Sequence, residues 1–282
     1  MSPLELVVVV LVTSVLAGGA GAILGLGGGI LLIPILTLFY GVDLHYAMGA
    51  SIVSVIATSS GAAAAYLRTS LSNVRIGLFL ALATVSGALV GAALAGVAPT
   101  RALQLLLGLA LAYSTLTTLR QLRIELPEVG EADPVAMRFS LEGSYYDSVL
   151  DREVKYRATR VRLGVAAMFG AGLLSGLLGI GSGAFKVLAM DHFMRLPMKV
   201  STATSNFMIG ITSAASAGVY FARGDIHPLL AAPVAVGVLA GAAAGTRLMS
   251  RLRNTTVRKI FLPLLAWLAI SMILRGLGIG LP

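Results

Sequence analysis

Lys186 is the only cation within the apolar segments of this 282-residue sequence, and it follows Gly183 by three residues. A lysine at membrane depth costs several kcal/mol unless it is paired or hydrated, so such a residue usually marks an ion pathway or the counter-charge of a ligand. Two structural explanations remain open: the side chain snorkels to the membrane interface, or Asp191 neutralises it. We favour the hypothesis that Lys186 contacts a substrate anion.

Two glycine clusters could hold the anion on backbone amides. Each precedes a short apolar segment, Ile30–Tyr40 in one case and Ala184–Phe193 in the other. Glycine lets the backbone approach a ligand, and the first amides of a helix have no partner within the helix. The candidate residues are Gly27, Gly28, Gly29, Gly181, Ser182 and Gly183. The alternative is that these glycines only permit close helix packing. Neither cluster has the pattern of a nucleotide-binding loop.

Hydroxyl and amide side chains follow each cluster and supply neutral hydrogen-bond donors. The candidates are Ser51 in the first half and Ser205 with Asn206 in the second. Serine in a membrane helix often donates to the carbonyl four residues earlier, which would make these positions structural. An amide such as that of Asn206 is costly in lipid. We therefore predict that these three residues contact substrate.

Other reactive side chains do not form a recognisable catalytic or metal-binding set. Asp43, His45, Asp191 and His192 lie at the ends of the short segments, where they could couple protons or simply be solvated. Their spacing is not that of a metal site. The chain has no cysteine, no paired carboxylates and no Ser/His/Asp set. We predict no enzymatic activity, no metal and no cofactor.

The composition predicts that these residues lie in a membrane. The chain is 57% hydrophobic and 12% charged, with a mean hydropathy of +0.91. A typical soluble domain is about 25% charged. The net charge of +9 comes from residues between apolar runs, a pattern typical of loops at a lipid surface and not of a nucleic-acid-binding face. Eight runs lack charged residues: Leu6–Val42, Leu44–Leu67, Ile76–Thr100, Ala102–Leu119, Leu163–Phe185, Val200–Ala222, Ile226–Thr246 and Ile260–Leu274.

The second half of the chain repeats the first. Gly25-x-Gly27-x-Gly29 recurs 154 positions later, and Ser51 matches Ser205 at the same offset. Further matches are Ala17-Gly18 with Ala171-Gly172, Thr58-Ser59 with Thr212-Ser213, Tyr66 with Tyr220 and, after gaps, Gly87/Gly91 with Gly237/Gly241. The first run would be about 55 Å long as one helix. We therefore predict that each glycine cluster breaks a helix into two segments.

The charges predict that the two repeats are inverted. With five segments per half and the N-terminus outside, 17 lysines and arginines face the cytoplasm, and only Arg101, Arg223 and Arg275 face outside. An uninterrupted eight-helix arrangement divides the same residues 12 to 8 at best. The positive-inside rule therefore favours the five-plus-five arrangement. Whether the glycine-linked segments cross the bilayer or re-enter is left open.

The expected fold is an all-α polytopic membrane protein with two inverted repeats. Residues 1–120 form the first repeat, residues 121–160 a cytoplasmic connector and residues 161–282 the second repeat. In the connector, Glu125–Pro134 has the composition of a linker. Met137–Leu141 and Val154–Ala158 alternate apolar and polar residues on either side of Gly143, which predicts a small β-hairpin.

The doubled glycine motif resembles the TauE/SafE sulfite exporter family. The resemblance is carried by Gly25-Leu-Gly-Gly-Gly-Ile-Leu-Leu-Ile-Pro34 with Ala50-Ser51, and by Gly179-Ile-Gly-Ser-Gly183 with Ala203-Thr-Ser-Asn206. It implies a secondary transporter of sulfite, sulfonates or other small organosulfur anions, working in either direction in the plasma membrane of a prokaryote. The expected partners are the anion and the lipid bilayer, with no nucleic acid, and the oligomeric state stays open, a homo-oligomer included. The alternatives are a proton- or cation-coupled exchanger of another solute and a membrane scaffold.

Overall fold

Helices make up most of the chain. The computed structural model describes residues 3–24, 28–68, 71–120, 133–147, 151–249 and 254–279. In chain order the elements are α1 Pro3–Leu24, α2 Gly29–Phe39, α3 Leu44–Arg68, α4 Val74–Ala95, α5 Thr100–Arg120, α6 Pro134–Arg138, β1 Glu142–Asp147, β2 Arg152–Arg157, α7 Val161–Leu178, α8 Gly183–Leu188, α9 Met198–Arg223, α10 Pro228–Met249 and α11 Asn254–Gly276. Residues Ala189–Phe193 continue α8 as a π-helical turn.

Both glycine clusters interrupt a helix, as predicted. α1 ends before the first cluster and α2 begins at Gly29, while α7 ends before the second and α8 begins at Gly183. Each short helix begins one residue earlier than expected. α2 has 11 residues and is about 16 Å long, about half the thickness of a hydrocarbon core. A helix of this length is too short to cross a bilayer by itself.

Two helices are long and apolar enough to cross a bilayer. Among the described residues these are α4 and α7. Shorter apolar helical stretches are Val7–Ala20, Gly29–Phe39, Pro228–Ala244 and Leu262–Gly276. The predicted run Leu163–Phe185 is not one helix, because Gly179 ends α7 in a left-handed conformation with φ +67°.

Glycines set the packing of α4 against α7. A Cβ atom added to Gly87 would overlap the carbonyl oxygen of Phe169, and one added to Gly91 would overlap that of Leu173. Only a residue without a side chain allows the two backbones to approach this closely. Since the residue numbers rise together on both helices, α4 and α7 run parallel.

α1 and α10 form an equivalent parallel pair, and their contacts correct the alignment of the two halves. A Cβ added to Gly241 would overlap the carbonyl oxygen of Val15, as one at Gly87 would overlap that of Phe169. Gly241 follows Gly87, and Phe169 follows Val15, by the same 154 positions. The predicted match of Gly87 with Gly237 is therefore wrong by one helical turn, and no gaps are needed.

α3 and α9 pack against each other in opposite directions. The rings of Tyr46, near the start of α3, and His227, just after α9, have centroids 6.1 Å apart. Further along α3, the hydroxyl of Ser59 would lie 3.0 Å from a Cβ added to Gly210. α5 and α11 also pack antiparallel. Thus helices in corresponding positions of the two halves run in opposite directions.

The connector contains a β-hairpin whose second strand, β2, overlaps the predicted Val154–Ala158, whereas the first strand lies later in the chain than predicted. β1 pairs with β2 in antiparallel register, so that Glu142 lies opposite Arg157 and Asp147 opposite Arg152. The segment predicted as the first strand, Met137–Leu141, instead contains the end of α6 and a turn. Most of the predicted linker, residues 125–132, lies outside the described residues.

Helix capping and an aromatic contact explain the shift of the first strand. Asp133 caps α6 by accepting hydrogen bonds from the amides of Val135 and Ala136, and Pro134 suits the first helical position. Gly143 lies within β1 opposite Tyr156, whose hydroxyl would be 2.6 Å from a Cβ at residue 143. The glycine therefore makes room for an aromatic ring and does not form a turn.

The connector contacts both halves of the helical domain. The side-chain amide of Asn73 donates to the main-chain oxygen of Glu142 at 3.2 Å and to the hydroxyl of Tyr156 at 3.1 Å. Thr159 donates from its amide to the carbonyl of Met194, beyond α8, at 3.0 Å. The N-terminal end of the connector is also fixed, because the side chain of Asp133 accepts a hydrogen bond from the backbone amide of Val161 at 2.8 Å. Burial raises the pKa of Asp133, but its three amide hydrogen bonds and Arg162 lower it overall.

Candidate functional site

The break between α7 and α8 contains three residues in the left-handed backbone region. These are Gly179 with φ +67°, Gly181 with φ +73° and Ser182 with φ +48°. Glycine adopts this conformation at no steric cost, whereas Ser182 carries a Cβ and adopts it with some strain. The three residues turn the chain so that α8 begins inside the protein, where Ile180, Ser182 and Gly183 are buried.

A small cleft lies at the beginning of α8. The residues that line it come from α2, α5, the break and the first turn of α8: Ile30, Ser114, Ile180, Ser182, Gly183, Ala184 and Phe185. The first amides of a helix have no acceptor within the helix, so they present a partial positive charge to such a cleft. The predicted residues Ser182 and Gly183 therefore line one cleft, together with residues of the first half.

The hydroxyl of Ser182 has no hydrogen-bond partner among the residues that the structure describes. Its oxygen is buried, and the side chain is 3% exposed. A buried polar atom without a partner costs about 1–3 kcal/mol, so such an atom calls for an explanation. A bound ligand that accepts a hydrogen bond in the cleft would supply the missing partner.

Ser51 and Ser205 make the same hydrogen bond in the two halves. Ser51 donates to the carbonyl of Gly29 at 3.1 Å, and Ser205 donates to that of Gly183 at 3.3 Å. Ser51 also lies 2.8 Å from the carbonyl oxygen of Gly179, across the boundary between the halves. In this conformation both hydroxyls therefore hold the broken helices in place, and their protons are directed at the backbone.

Lys186 is fully buried, which rules out snorkelling. Its ammonium nitrogen donates to the carbonyl of Gly181 at 3.2 Å and to the hydroxyl of Thr212 at 3.1 Å. Thr212 in turn donates to the carbonyl of Met208 at 2.7 Å, and its oxygen lies 3.4 Å from that of Thr84 on α4. Within the described part of the chain no carboxylate pairs with Lys186, so Asp191 does not neutralise it.

Lys186 and the cleft share a wall but are not the same site. Lys186 does not line the cleft, because its side chain is directed at Gly181, while Ser182 and Gly183 face the cleft. Gly181 is therefore held by the ammonium group at its carbonyl oxygen. Movement of the break would change the surroundings of the ammonium and of Ser182 together.

At the first break, close packing explains the described glycines. A Cβ added to Gly29 would lie 2.5 Å from the hydroxyl of Ser51, and one at Gly28 would lie 3.2 Å from the Cα of Gly18. Gly27 lies outside the described residues. The position equivalent to Lys186 is Leu32, which is fully buried in the hydrophobic core.

Asn206 is not directed into the cleft. Its side-chain amide donates to the carbonyl of Thr202, one turn earlier on α9, at 3.1 Å. This is the local arrangement that polar side chains in membrane helices often adopt. The structure therefore brings Ser182, Gly183, Ser205 and Lys186 together around the second break, whereas Asn206 bonds to its own helix.

The charged residues at the helix ends lie apart from the cleft. The two ring nitrogens of His45 are each 3.3 Å from an oxygen atom, one of Asp43 and the other the carbonyl of Ala95. His192 is exposed and Asp191 half-buried near the end of the π-helical turn. Among the described residues no group of three His, Asp or Glu side chains could hold a metal ion.

The sequence did not indicate the contribution of α5 to the cleft. The ring of Tyr113 stacks on that of Phe185 with centroids 4.8 Å apart and planes 14° from parallel. Ser114, the next residue, lines the cleft. A signal was available, because Trp267 lies 154 positions after Tyr113, so both halves carry a large aromatic residue with a polar atom at this position.

The walls of the cleft combine apolar side chains with neutral hydrogen-bond donors. The apolar lining residues include Ile30, Ile180 and Phe185, and the polar ones are Ser114 of α5 and Ser182 at the start of α8. Neutral donors and a helix N-terminus bind anions, and they do so strongly where water is excluded. These groups have the chemistry to bind a small anion, but the cleft in this conformation has room for about one water molecule, so anion binding requires the break to open.

The chain is similar to known proteins over most of its length. Residues 10–272 match the family model described as Sulfite exporter TauE/SafE. The chain is 25% identical to the probable membrane transporter protein YunE of Bacillus subtilis (strain 168), over 96% of this chain and 98% of that protein. It is 27% identical to the probable membrane transporter protein YdhB of the same organism, over 85% of this chain and 89% of that protein. No solved structure gives a significant match.

Proposed function

The chain belongs to the sulfite exporter TauE/SafE family and is a membrane transporter, and from this we propose that it is a secondary transporter of a small organosulfur anion such as sulfite or a sulfonate. The main support is the unpartnered Ser182 hydroxyl, buried in a cleft at the start of α8. An oxyanion would accept its hydrogen bond and the bonds of the adjacent amides.

The binding site that we propose is centred on the second break. Ser182 and Gly183 contact the anion directly, and Lys186 provides a positive charge next to the same segment. Attraction between charges is much stronger in a desolvated site than in water. Gly27, Gly28, Gly29, Ser51, Gly181, Ser205 and Asn206 complete the candidate set, and we assign them to positioning the broken helices or to a second conformation of the transport cycle.

Alternating access through two inverted repeats is the second part of the proposal. It is supported by the antiparallel packing of α3 with α9 and of α5 with α11, and by the parallel pairs α1–α10 and α4–α7. Inverted repeats with broken helices typically hold their substrate at the repeat interface and expose it by movement of one part against the other. Residues 1–120 and 161–282 would be the two repeats, with residues 121–160 as a cytoplasmic connector in a prokaryotic plasma membrane.

An exchanger of cations or protons has less support. A cation site within a membrane usually needs a buried carboxylate. Among the described residues, Lys186 is the buried charged side chain, and its charge is positive. A membrane scaffold would give neither the Lys186 ammonium nor the Ser182 hydroxyl a role.

Anion titration of a matched pair of serine variants tests the binding site. Ser182→Ala removes a hydroxyl without breaking a hydrogen bond, so we expect weaker anion binding by about 1 kcal/mol and little change in stability. Ser213→Ala is the control, since that hydroxyl is also buried and without a partner but does not line the cleft. Calorimetry against sulfite, sulfate, thiosulfate, taurine, sulfoacetate and acetate would measure both. Equal affinities in the two variants would exclude Ser182 from the site.

Cysteine labelling tests the inverted topology. The chain has no native cysteine, so single cysteines report one position each. We expect Arg101→Cys to react from outside the cell and Lys155→Cys, in the connector, only after permeabilisation. Reaction of both from the same side would contradict the five-plus-five arrangement.

A further inference from the structure

One face of α4 is largely apolar and has no partner within the described chain. Val74, Leu78 and Leu82 lie four residues apart and are exposed, the last by 73%. The opposite face packs against α7 and α9. α4 is about 33 Å long, which matches the thickness of a bilayer core. The exposed face is therefore the lipid-facing surface of a spanning helix.

The connector extends this apolar surface beyond the N-terminal end of α4. The ring of Phe139, just after α6, lies against that of Phe79 with centroids 5.0 Å apart. Phe139 is nevertheless 48% exposed, and Met137 beside it is 57% exposed. Large apolar side chains that are exposed next to each other mark a surface that contacts another protein or a membrane.

Two arginines border these apolar residues. Arg75 donates to the carbonyl of Ser140 at 3.5 Å, and the guanidinium of Arg138 lies 6.0 Å from the centre of the Phe139 ring. Both side chains are exposed, and neither forms an ion pair with a carboxylate of the described residues. The nearby carboxylate of Glu142 is occupied by Arg157 at 2.8 Å.

We propose that Met137 and Phe139 insert into the membrane interface and that Arg75 and Arg138 bind the anionic phospholipid headgroups above them. Aromatic and apolar side chains at interface depth with basic residues next to them are the typical composition of an interfacial anchor. Cytoplasmic leaflets carry anionic lipids that attract exposed basic residues. The occupant of this surface is therefore the bilayer in which the protein lies.

The anchor would fix the loops of both halves relative to the membrane. The connector is hydrogen-bonded to Asn73, before α4, and to Met194, after α8. Binding of the connector to lipid therefore limits the movement of the segment that leads from the second break into α9. The proposal depends on membrane embedding and does not depend on the identity of the transported anion.

Fluorescence quenching by brominated lipids tests the insertion. Trp267 is the single tryptophan, so Phe139→Trp in a Trp267→Phe background gives one probe. In vesicles of brominated phosphatidylcholine we expect a blue-shifted emission and quenching, which increase when phosphatidylglycerol is added. Quenching by aqueous iodide but not by brominated lipid would overturn the proposal.

Charge variants test the headgroup contact. In the same probe background, the double change Arg75→Gln and Arg138→Gln should abolish the increase caused by phosphatidylglycerol. Lys155→Gln, an exposed residue of β2, is the control and should leave the increase unchanged. An equal response in both variants would overturn the proposal.

Hydrogen exchange of residues 137–140 tests the same contact in the unmodified protein. We expect slower exchange when phosphatidylglycerol is present. Identical exchange with and without this lipid would overturn the proposal.

Discussion

The two helix breaks have matching hydrogen bonds but different chemistry. At each, a serine of the following long helix donates to the carbonyl of the first residue of the short helix, Ser51 to Gly29 and Ser205 to Gly183. The position three residues later differs: Leu32 in the first half is replaced by Lys186 in the second, and both are fully buried. The two breaks thus share the serine hydrogen bond, but only the second has a buried charge.

The backbone conformations at the two breaks differ: the serine, and not the equivalent glycine, has the left-handed conformation that glycine adopts more easily. Gly28, the residue just before α2, has a right-handed backbone conformation with φ −61°, although glycine could adopt either hand. Its equivalent, Ser182, is left-handed with φ +48°. Strained residues of this kind are concentrated at functional sites. The second break is therefore the better candidate for substrate contact, and the first for a structural role.

The largest expected effect comes from Gly181→Val. Gly181 has φ +73°, and an added Cβ would lie 2.7 Å from Val55 of the first half. We expect loss of transport in proteoliposomes with membrane insertion preserved. Gly170→Val is the control, because nothing lies within 4 Å of a Cβ at that position. Wild-type transport by Gly181→Val would show that the conformation of the second break is not needed. Gly27→Val would extend the comparison to the first break.

Removal of the Lys186 charge should have the next largest effect. Lys186→Met keeps much of the side-chain volume, and we expect weaker anion binding by about 1–3 kcal/mol, because the ammonium attracts an anion across the shared segment in a desolvated site. Lys186→Arg should retain some binding but alter the preference among sulfite, sulfonates and carboxylates. Leu32→Met, at the equivalent position, should leave affinity unchanged in the same titrations. If Lys186→Met also leaves it unchanged, the charge difference between the halves has no role in binding.

The two matched serines should contribute to stability rather than to affinity. Ser51→Ala and Ser205→Ala each remove a buried hydrogen bond, which is worth about 1 kcal/mol. We expect the larger loss of thermal stability for Ser51→Ala, since Ser51 also contacts the carbonyl of Gly179. A thermal-unfolding comparison in detergent would show this order. A large loss of anion affinity with unchanged stability would mean instead that the hydroxyl binds substrate.

The smallest expected effect concerns Thr212, which accepts a hydrogen bond from Lys186. Thr212→Val should reduce anion affinity by about 1 kcal/mol or less, and only when Lys186 is present. Thr58→Val, at the equivalent position in the first half, has no lysine beside it and should have no effect. Additive effects of Thr212→Val and Lys186→Met would contradict a shared role.

Hydropathy and spacing predicted most of the architecture because they report on local properties. A glycine cluster inside a long apolar run indicates a helix break wherever it occurs, and the 154-residue offset relates the halves without any coordinates. The connector was harder to predict. Alternation suggested a strand over Met137–Leu141, but the cap at Asp133 extends α6 to Arg138. Local patterns of five residues are compatible with either element, and the flanking cap decides between them.

The sequence by itself indicated that this chain is membrane-embedded, predicted that it is duplicated, and showed that Lys186 is a cation in an apolar segment. Each follows from residue types along the chain and needs no knowledge of contacts. Only the tertiary structure decided which polar groups are satisfied. Lys186 bonds to Gly181 and Thr212, whereas the Ser182 hydroxyl is left without a partner in a cleft completed by Ser114 of the other half. Hydrogen bonds between different helices, such as that from Lys186 to Thr212, depend on helix packing, which periodicity does not encode.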